Sequence, residues 1–335
     1  MLFSAIPSEK LRQAFKIADI GLLGACVYPF ASYDRLKIAA LLNIWIFIVD
    51  DGEYNIPTSR EPFLGDDTQP DLSSFVLTIP PQELDMESGT MVDDLETSNR
   101  YRAELVDYVR RCLGLADDGE PQPGRRPAPV DDDDSTTCAV NGTGYSHIIQ
   151  SFSMLGQEIQ AVYNMEQRQR LLDNVIFYLG MTREEQCSRL AGGIPTPEEY
   201  WKFRDGASAV EVCLAMVEYL AKASGLPKQV FEDPDMKRLW TLTNTNVSLV
   251  NDCFSAKKEL AGESIANAIP IWYAKAQDGS DRMQVATNQA VSMFIWTVGE
   301  MDDVAQKLMR RFGNGDLVHW ELLLESEDAS LWTTG

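Results

Sequence analysis

In Asn251-Asp252-Cys253-Phe254-Ser255-Ala256-Lys257-Lys258-Glu259, side chains bearing oxygen recur at every fourth position. Successive residues of an α-helix turn by about 100°, so positions four apart drift by only about 40°. Asn251, Ser255 and Glu259 therefore fall on one strip of helix surface: an amide, a hydroxyl and a carboxylate. Oxygen donors of this kind suit a hard cation such as Mg2+, which takes few protein ligands and shares phosphate oxygens. Lys258 lies beside the strip, where it can meet an anion. The same three residues would equally form the polar face of an ordinary amphipathic helix. What faces them decides between the two.

The segment best suited to face them lies two hundred residues upstream. From Asp34 the chain runs Asp34-Arg35-Leu36-Lys37-Ile38-Ala39-Ala40-Leu41-Leu42-Asn43-Ile44-Trp45-Ile46-Phe47-Ile48-Val49 and ends on Asp50-Asp51-Gly52-Glu53. It is too long for a usual strand and apolar all round near its end, which predicts a buried helix. Two carboxylates closing such a helix need something charged opposite them; as a lone pair before Gly52 they could instead end the helix in a turn. Set against the 251–259 strip, they predict two helices facing each other across a cavity with apolar walls. A third element is Arg204, in Tyr200-Trp201-Lys202-Phe203-Arg204-Asp205-Gly206, whose guanidinium suits bidentate contact with a phosphate or an exposed ion pair. Gly206-Ala207-Ser208-Ala209 is rich in small residues inside a helical run. It predicts a break at Gly206 whose freed carbonyls point into the cavity.

The remaining chain reads as helix after helix, with no convincing strand alternation and no repeat. Helices are expected at 8–24, 32–51, 93–115, 146–165, 167–179, 182–190, 197–222, 227–231, 236–262, 264–277, 281–312 and 316–327. Thr196 is the expected N-cap ahead of Pro197. Residues 56–87 are rich in Pro, Asp, Ser and Thr and read as a long loop. Residues 116–141 carry Pro-Gln-Pro-Gly-Arg-Arg-Pro-Ala-Pro and the aspartates 131–134, and read as a disordered surface insertion. The expected architecture is all-α, with residues 1–335 as a single-domain helical bundle around a central apolar cavity.

Composition narrows the partners. With 29 basic against 51 acidic residues, the 335-residue chain carries a net charge of −22. Such a surface argues against nucleic acid and anionic membranes, both of which need basic patches. A polyanionic substrate would have to be met at a place neutralised by metal or by a few Lys and Arg. Cys26, Cys112, Cys138, Cys187, Cys213 and Cys253 form no CxxC pair, which reads as a reducing compartment without a disulfide framework. The start, Met1-Leu2-Phe3, lacks the pattern of a signal peptide, and the apolar run 38–49 is too short to span a bilayer. The expectation is a cytoplasmic protein without membrane insertion. His147 and His319 have no ligand-like company and receive no role.

Residues 251–259 resemble the signature of the class I terpene synthase (terpene cyclase) family, Asn/Asp-Asp-x-x-Ser/Thr-x-x-Lys/Arg-Asp/Glu, at every specified position. Tyr28-Pro29 followed by a helix ending in Phe47-Ile48-Val49-Asp50-Asp51 is similar to that family's aspartate-rich motif. Arg204, 47 residues before Asn251, falls where the family keeps its diphosphate-sensing arginine, and Gly206–Ala209 matches the helix break that follows it. The likeness covers most of the chain, with microbial and especially fungal sesquiterpene synthases nearest. Two departures are visible. The acid expected four residues after Asp50 is replaced by Tyr54, so Glu53 shares a face with Asp50 in its stead. The Arg-Tyr pair expected after Trp320 and Glu325-Ser326 is replaced by Glu327-Asp328-Ala329-Ser330.

The resemblance implies the class I terpenoid synthase fold and a Mg2+-dependent cyclase that ionises a linear isoprenyl diphosphate, farnesyl diphosphate by family preference, with release of diphosphate. It implies three Mg2+ ions, with Asp50, Asp51, Glu53, Asn251, Ser255 and Glu259 as metal ligands and Arg204 and Lys258 as diphosphate contacts. Charge agrees: at ~4 Å one unit-charge pair is worth about 4 kcal/mol at an effective dielectric near ~20, so bare carboxylates would repel the substrate. A carbocation needs a dry aromatic pocket, for which Phe47, Trp296 and Trp320 are the candidates; aromatics at helical spacing also serve as plain core. The expected assembly is a monomer or homodimer. A degenerate isoprenoid-binding helical protein, a diterpene cyclase and a chain-elongating prenyltransferase stand as alternatives.

Overall fold

The apolar run ending at Asp50 lies where its pattern requires, in the middle of the helices. The structure is a computed structural model in which the described residues are 20–53, 93–116, 152–221, 225–261, 266–277 and 281–312, without the side chains of Ile48, Asp50, Asp51, Glu53, Lys258 and Ala261. Every regular element among them is an α-helix. In chain order these are α1 (Ile20–Val27), α2 (Tyr33–Glu53), α3 (Leu95–Cys112), α4 (Phe152–Val162), α5 (Met165–Ala191) and α6 (Pro197–Ala207). There follow α7 (Val210–Leu214), α8 (Val217–Leu220), α9 (Lys228–Glu232), α10 (Pro234–Ala261), α11 (Ala268–Lys275) and α12 (Arg282–Phe312). None of the described helices is long and apolar enough to cross a membrane.

Helix α2 buries Ala39, Leu41, Leu42, Ile44, Trp45, Ile46 and Val49. Because its apolar residues encircle the axis, it packs against α1, α4, α7 and α8 together. Trp45 meets Phe152 of α4 with ring centroids 4.9 Å apart and planes tilted by 59°, a favourable offset geometry for two aromatic quadrupoles. Asn43, the polar interruption of the run, is buried, and its Oδ1 accepts the Cys213 thiol at 3.7 Å. A polar group in that position is tolerated because it has a partner. Leu105, Tyr108 and Val109 of α3, with Leu171, Val175, Tyr178 and Leu179 of α5, complete the same core.

Caps set several helix starts. Asp94 accepts the Thr97 N–H ahead of α3, and reciprocal capping boxes join Asn164 to Gln167 and Thr196 to Glu199. The second of these is the start expected from Thr196-Pro197. The expected helices 167–179 and 182–190 are one, α5. Gly180 does not interrupt it, since a helical glycine costs only about 1 kcal/mol relative to alanine. That cost is offset where Thr182 donates to the Leu179 carbonyl at 3.1 Å and accepts from buried Arg102 of α3 at 3.2 Å. The expected helix 197–222 is instead three pieces, α6, α7 and α8. Residues 8–19, 56–87, the 117–141 part of the insertion, and 316–327 lie outside the described residues.

Candidate functional site

Helix α10 carries the oxygen strip, and α6, α11 and α12 pack around it. Asn251 is exposed while Ser255 and Glu259 are partly exposed, so the strip turns an accessible face outward. Its inner neighbour, Asp252, is only 1% exposed. Every oxygen of that carboxylate is engaged: Oδ1 accepts Arg204 Nη2 at 2.9 Å, and Oδ2 accepts the Ala268 N–H at 2.9 Å and the Tyr200 hydroxyl. The same Arg204 nitrogen donates to Asn251 Oδ1 at 2.8 Å. Arg204 therefore sits at the head of the strip, tethered from below by Asp252 and touching the first strip residue.

Burial pushes the Tyr200 phenol well above its ordinary range, and the Asp252 charge adds to this against the pull of Arg204. Tyr200 thus stays a neutral donor. Desolvation works against the Arg204 charge, but its surroundings, with the carboxylates of Asp252, Glu185 and Glu259, more than offset that, so its proton is held more firmly than usual. The Arg204 Nε is buried without a hydrogen-bond partner among the described residues. A guanidinium with a committed Nη2 and an unserved Nε has donor capacity left for an anion.

The second tether comes from α11. Asn267 caps that helix, its Oδ1 accepting the Ile269 N–H at 2.9 Å. Its Nδ2 lies 2.9 Å from the Asp252 carbonyl oxygen, 3.3 Å from Ser255 Oγ and 2.8 Å from Glu259 Oε2. Two of the three strip oxygens thus converge on a partially positive group. Their convergence there is hydrogen bonding to the amide; what suits a hard divalent cation is that Asn251, Ser255 and Glu259 offer oxygen alone. Among the described residues no three His, Cys, Asp or Glu side chains gather into a ligand set. The strip fits as a mixed amide, hydroxyl and carboxylate site.

The helix break lies one turn from Arg204, but Gly206 is not its pivot. Gly206 is helical, and a Cβ there would lie 2.4 Å from Met181 Cγ and 2.8 Å from Phe177 Cε1. It is small so that α6 can press on α5. The break falls at Ala209, whose φ of 58° is left-handed. Asn244 of α10 explains it: Nδ2 reaches the Arg204 carbonyl at 3.4 Å and Asp205 Oδ1 at 3.3 Å, while Oδ1 accepts the Ser208 hydroxyl. A side chain from another helix thus supplies bonds that continued winding would have made. Farther on, the carbonyls of Cys213 and Ala215 accept the hydroxyls of Tyr28 at 3.1 Å and Tyr163 at 2.8 Å. At the break itself the Gly206 carbonyl accepts the Ala209 N–H at 3.0 Å and the Arg204 carbonyl accepts the Asn244 amide.

Of the expected site residues, the structure brings together Arg204, Asn251, Ser255 and Glu259. Phe47 is half-buried on α2, and Trp296 on α12 is 54% exposed. The side chains of Asp50, Asp51, Glu53 and Lys258, and the whole of Trp320, lie outside the described residues. Three residues without an assigned role, Tyr200, Asp252 and Asn267, hold the site. Asp252 is inside the quoted motif, and its position one step off the strip was the available signal. Tyr200 and Asn267 carried none.

Residues 90–295 match the family model described as terpene synthase family 2, C-terminal metal binding. The sesquiterpene cyclase hepA of Aspergillus oryzae is 27% identical over 253 residues, covering 76% of this chain and 56% of that protein. The sesquiterpene synthase Agr1 of Cyclocybe aegerita is 27% identical over 162 residues, covering 45% of this chain and 46% of that protein. The chain spans about half the length of the curated relatives it matches. Among solved structures, the linalool/nerolidol synthase of Streptomyces clavuligerus in complex with 2-fluorogeranyl diphosphate aligns with a TM-score of 0.64 at 15% identity, over 93% of this chain and 85% of that one. The germacradien-4-ol synthase of Streptomyces citricolor aligns with a TM-score of 0.59 at 18% identity, over 92% and 78%. These likenesses establish the fold.

Proposed function

Because this chain belongs to terpene synthase family 2, with residues 90–295 as its metal-binding match, we propose that it ionises a linear isoprenyl diphosphate and cyclises the resulting cation. Farnesyl diphosphate is the substrate we infer, on the support of sesquiterpene cyclases among the relatives. The observation that carries the reading is Arg204 bound to Asn251 at the head of an oxygen strip.

Asn251, Ser255 and Glu259 hold the cation side of the site, and Asp50, Asp51 and Glu53 are proposed as the facing ligands. Bound Mg2+ supplies charge neutralisation and Lewis acidity toward the diphosphate oxygens. Arg204 and Lys258 receive the anionic head group. Asp252, itself held by the Tyr200 hydroxyl, holds the guanidinium before substrate arrives, so little of its orientation is left to be fixed when negative charge develops on the leaving diphosphate. Phe47, Trp296 and Trp320 are proposed to face the allylic cation with their ring faces. A location in the cytoplasm, three metal ions and a monomeric or dimeric state belong to the same reading.

The test is incubation of purified protein with C10, C15 and C20 diphosphates, each with Mg2+ and with chelator, followed by product analysis. A cyclic C15 hydrocarbon or alcohol made with Mg2+ alone is expected. No product from any of the three would reject the enzyme, and binding without turnover would favour a degenerate isoprenoid-binding protein.

A further inference from the structure

Asn267 belongs both to the start of α11 and to the face of the oxygen strip. It has no exposed surface, and its cap bond to the Ile269 N–H fixes which way the amide points. Its Nδ2 faces three oxygens within 3.3 Å, those of Asp252, Ser255 and Glu259. An amide nitrogen carries two hydrogens, so these acceptors share them. Ser255 and Glu259 are partly exposed and long or freely rotating, whereas Asn267 is buried and anchored. Order therefore passes from Asn267 outward.

We propose that Asn267 is a positioning residue for the metal-binding strip, an inference that rests on the metal-dependent reading above. By holding Glu259 at Oε2 it leaves Oε1 free for ligation, and by donating to Ser255 it occupies one hydroxyl lone pair and leaves the other for the cation. The clasp also ties the strip to Asp252, and through it to Arg204, because Asn267 Nδ2 binds the Asp252 carbonyl while Ala268 N–H binds its carboxylate. One buried amide thus sets the relation between the cation ligands and the diphosphate-facing arginine. Partners of metal ligands that are hydrogen-bonded in this way typically account for about tenfold to a hundredfold in metal affinity.

The cap and the clasp can be separated by substitution. Serine caps a helix as well as asparagine does, but it is too short to carry a donor to Glu259. Asn267→Asp keeps the cap and replaces the donor by a negative acceptor. The experiment measures Mn2+ binding by electron paramagnetic resonance of free Mn2+, in the presence of inorganic diphosphate, alongside melting of the metal-free protein. Asn267→Ser is expected to melt near the native protein and bind Mn2+ about tenfold to a hundredfold more weakly, and Asn267→Asp to bind more weakly still. Native Mn2+ affinity in Asn267→Ser, or a lowered melting temperature without lost affinity, would reduce Asn267 to a helix cap and overturn the proposal. A native protein that binds no Mn2+ would overturn the metal-dependent reading itself, a distinct result.

Discussion

Replacing Asp252 by alanine is expected to lower the melting temperature by about 7 °C. The carboxylate is 1% exposed and is the counter-charge of Arg204, 2.9 Å away. Removing one partner of a buried ion pair costs roughly 3–5 kcal/mol, because the other charge stays buried and uncompensated. The Ala268 N–H and the Tyr200 hydroxyl lose their acceptor as well, at about 1–3 kcal/mol each for a group left unsatisfied. These losses share one site and overlap, so a total of about 5 kcal/mol is reasonable. Unfolding entropy of about 2.1 cal/mol/K per residue over 335 residues gives about 0.7 kcal/mol/K, hence the shift of about 7 °C. Differential scanning calorimetry at fixed pH reads it directly. In an Arg204→Met background the same change should cost about 2 kcal/mol less, since no buried charge is stranded. A native-like melt for Asp252→Ala, or strict additivity in the pair, would refute the reasoning.

Other perturbations separate chemistry from folding. Asn251→Ala, at an exposed position, should leave helicity by circular dichroism and the melting temperature unchanged while lowering terpene formation by about 10³-fold or more, the loss of several kcal/mol of charge stabilisation; retained turnover removes Asn251 from the ligand set. Gly206→Ala should destabilise by about 1–3 kcal/mol through overpacking against Met181, read as a lower urea midpoint, and an unchanged or raised midpoint contradicts the close α5–α6 contact. Burial, then the neighbouring Asp205, pushes the Glu211 carboxyl up to about 7. Between its unfolded value near ~4.3 and about 7 the native state holds a proton that the unfolded chain has released, so this group's contribution is lost as pH rises through that window. Glu211→Gln should therefore raise the melting temperature by about 2–3 °C at pH 8, after discount for solvent screening, and much less at pH 5; equal gains at both would reject the assignment.

The oxygen strip was legible because its logic is local, a four-residue period on one helix. The same holds for α2, whose apolar run declared its burial, and for the Thr196 cap. Arg204 was legible through its spacing from Asn251. What holds these parts together was not, because the bonds join distant positions. Asp252 meets Tyr200, Arg204 and Ala268 across separations of 52, 48 and 16 residues, and no period connects them. The site of the helix break shows the same limit. Gly206 drew attention as the flexible residue, yet its role is to make room for Met181 and Phe177. The turn occurs at Ala209, directed by Asn244 from another helix. The seam between two expected helices at Gly180 closed for a converse reason, since packing against α3 carried α5 through.

The central claim is that diphosphate departure requires a divalent metal held by this strip. Release of inorganic diphosphate and of terpene from farnesyl diphosphate, followed together in Mg2+, in chelator and after Mg2+ is restored, measures it most directly. The expected result is matched release of both products with Mg2+, none with chelator, and recovery on restoration. Equal release with and without metal, or no release under any of the three conditions, would contradict it.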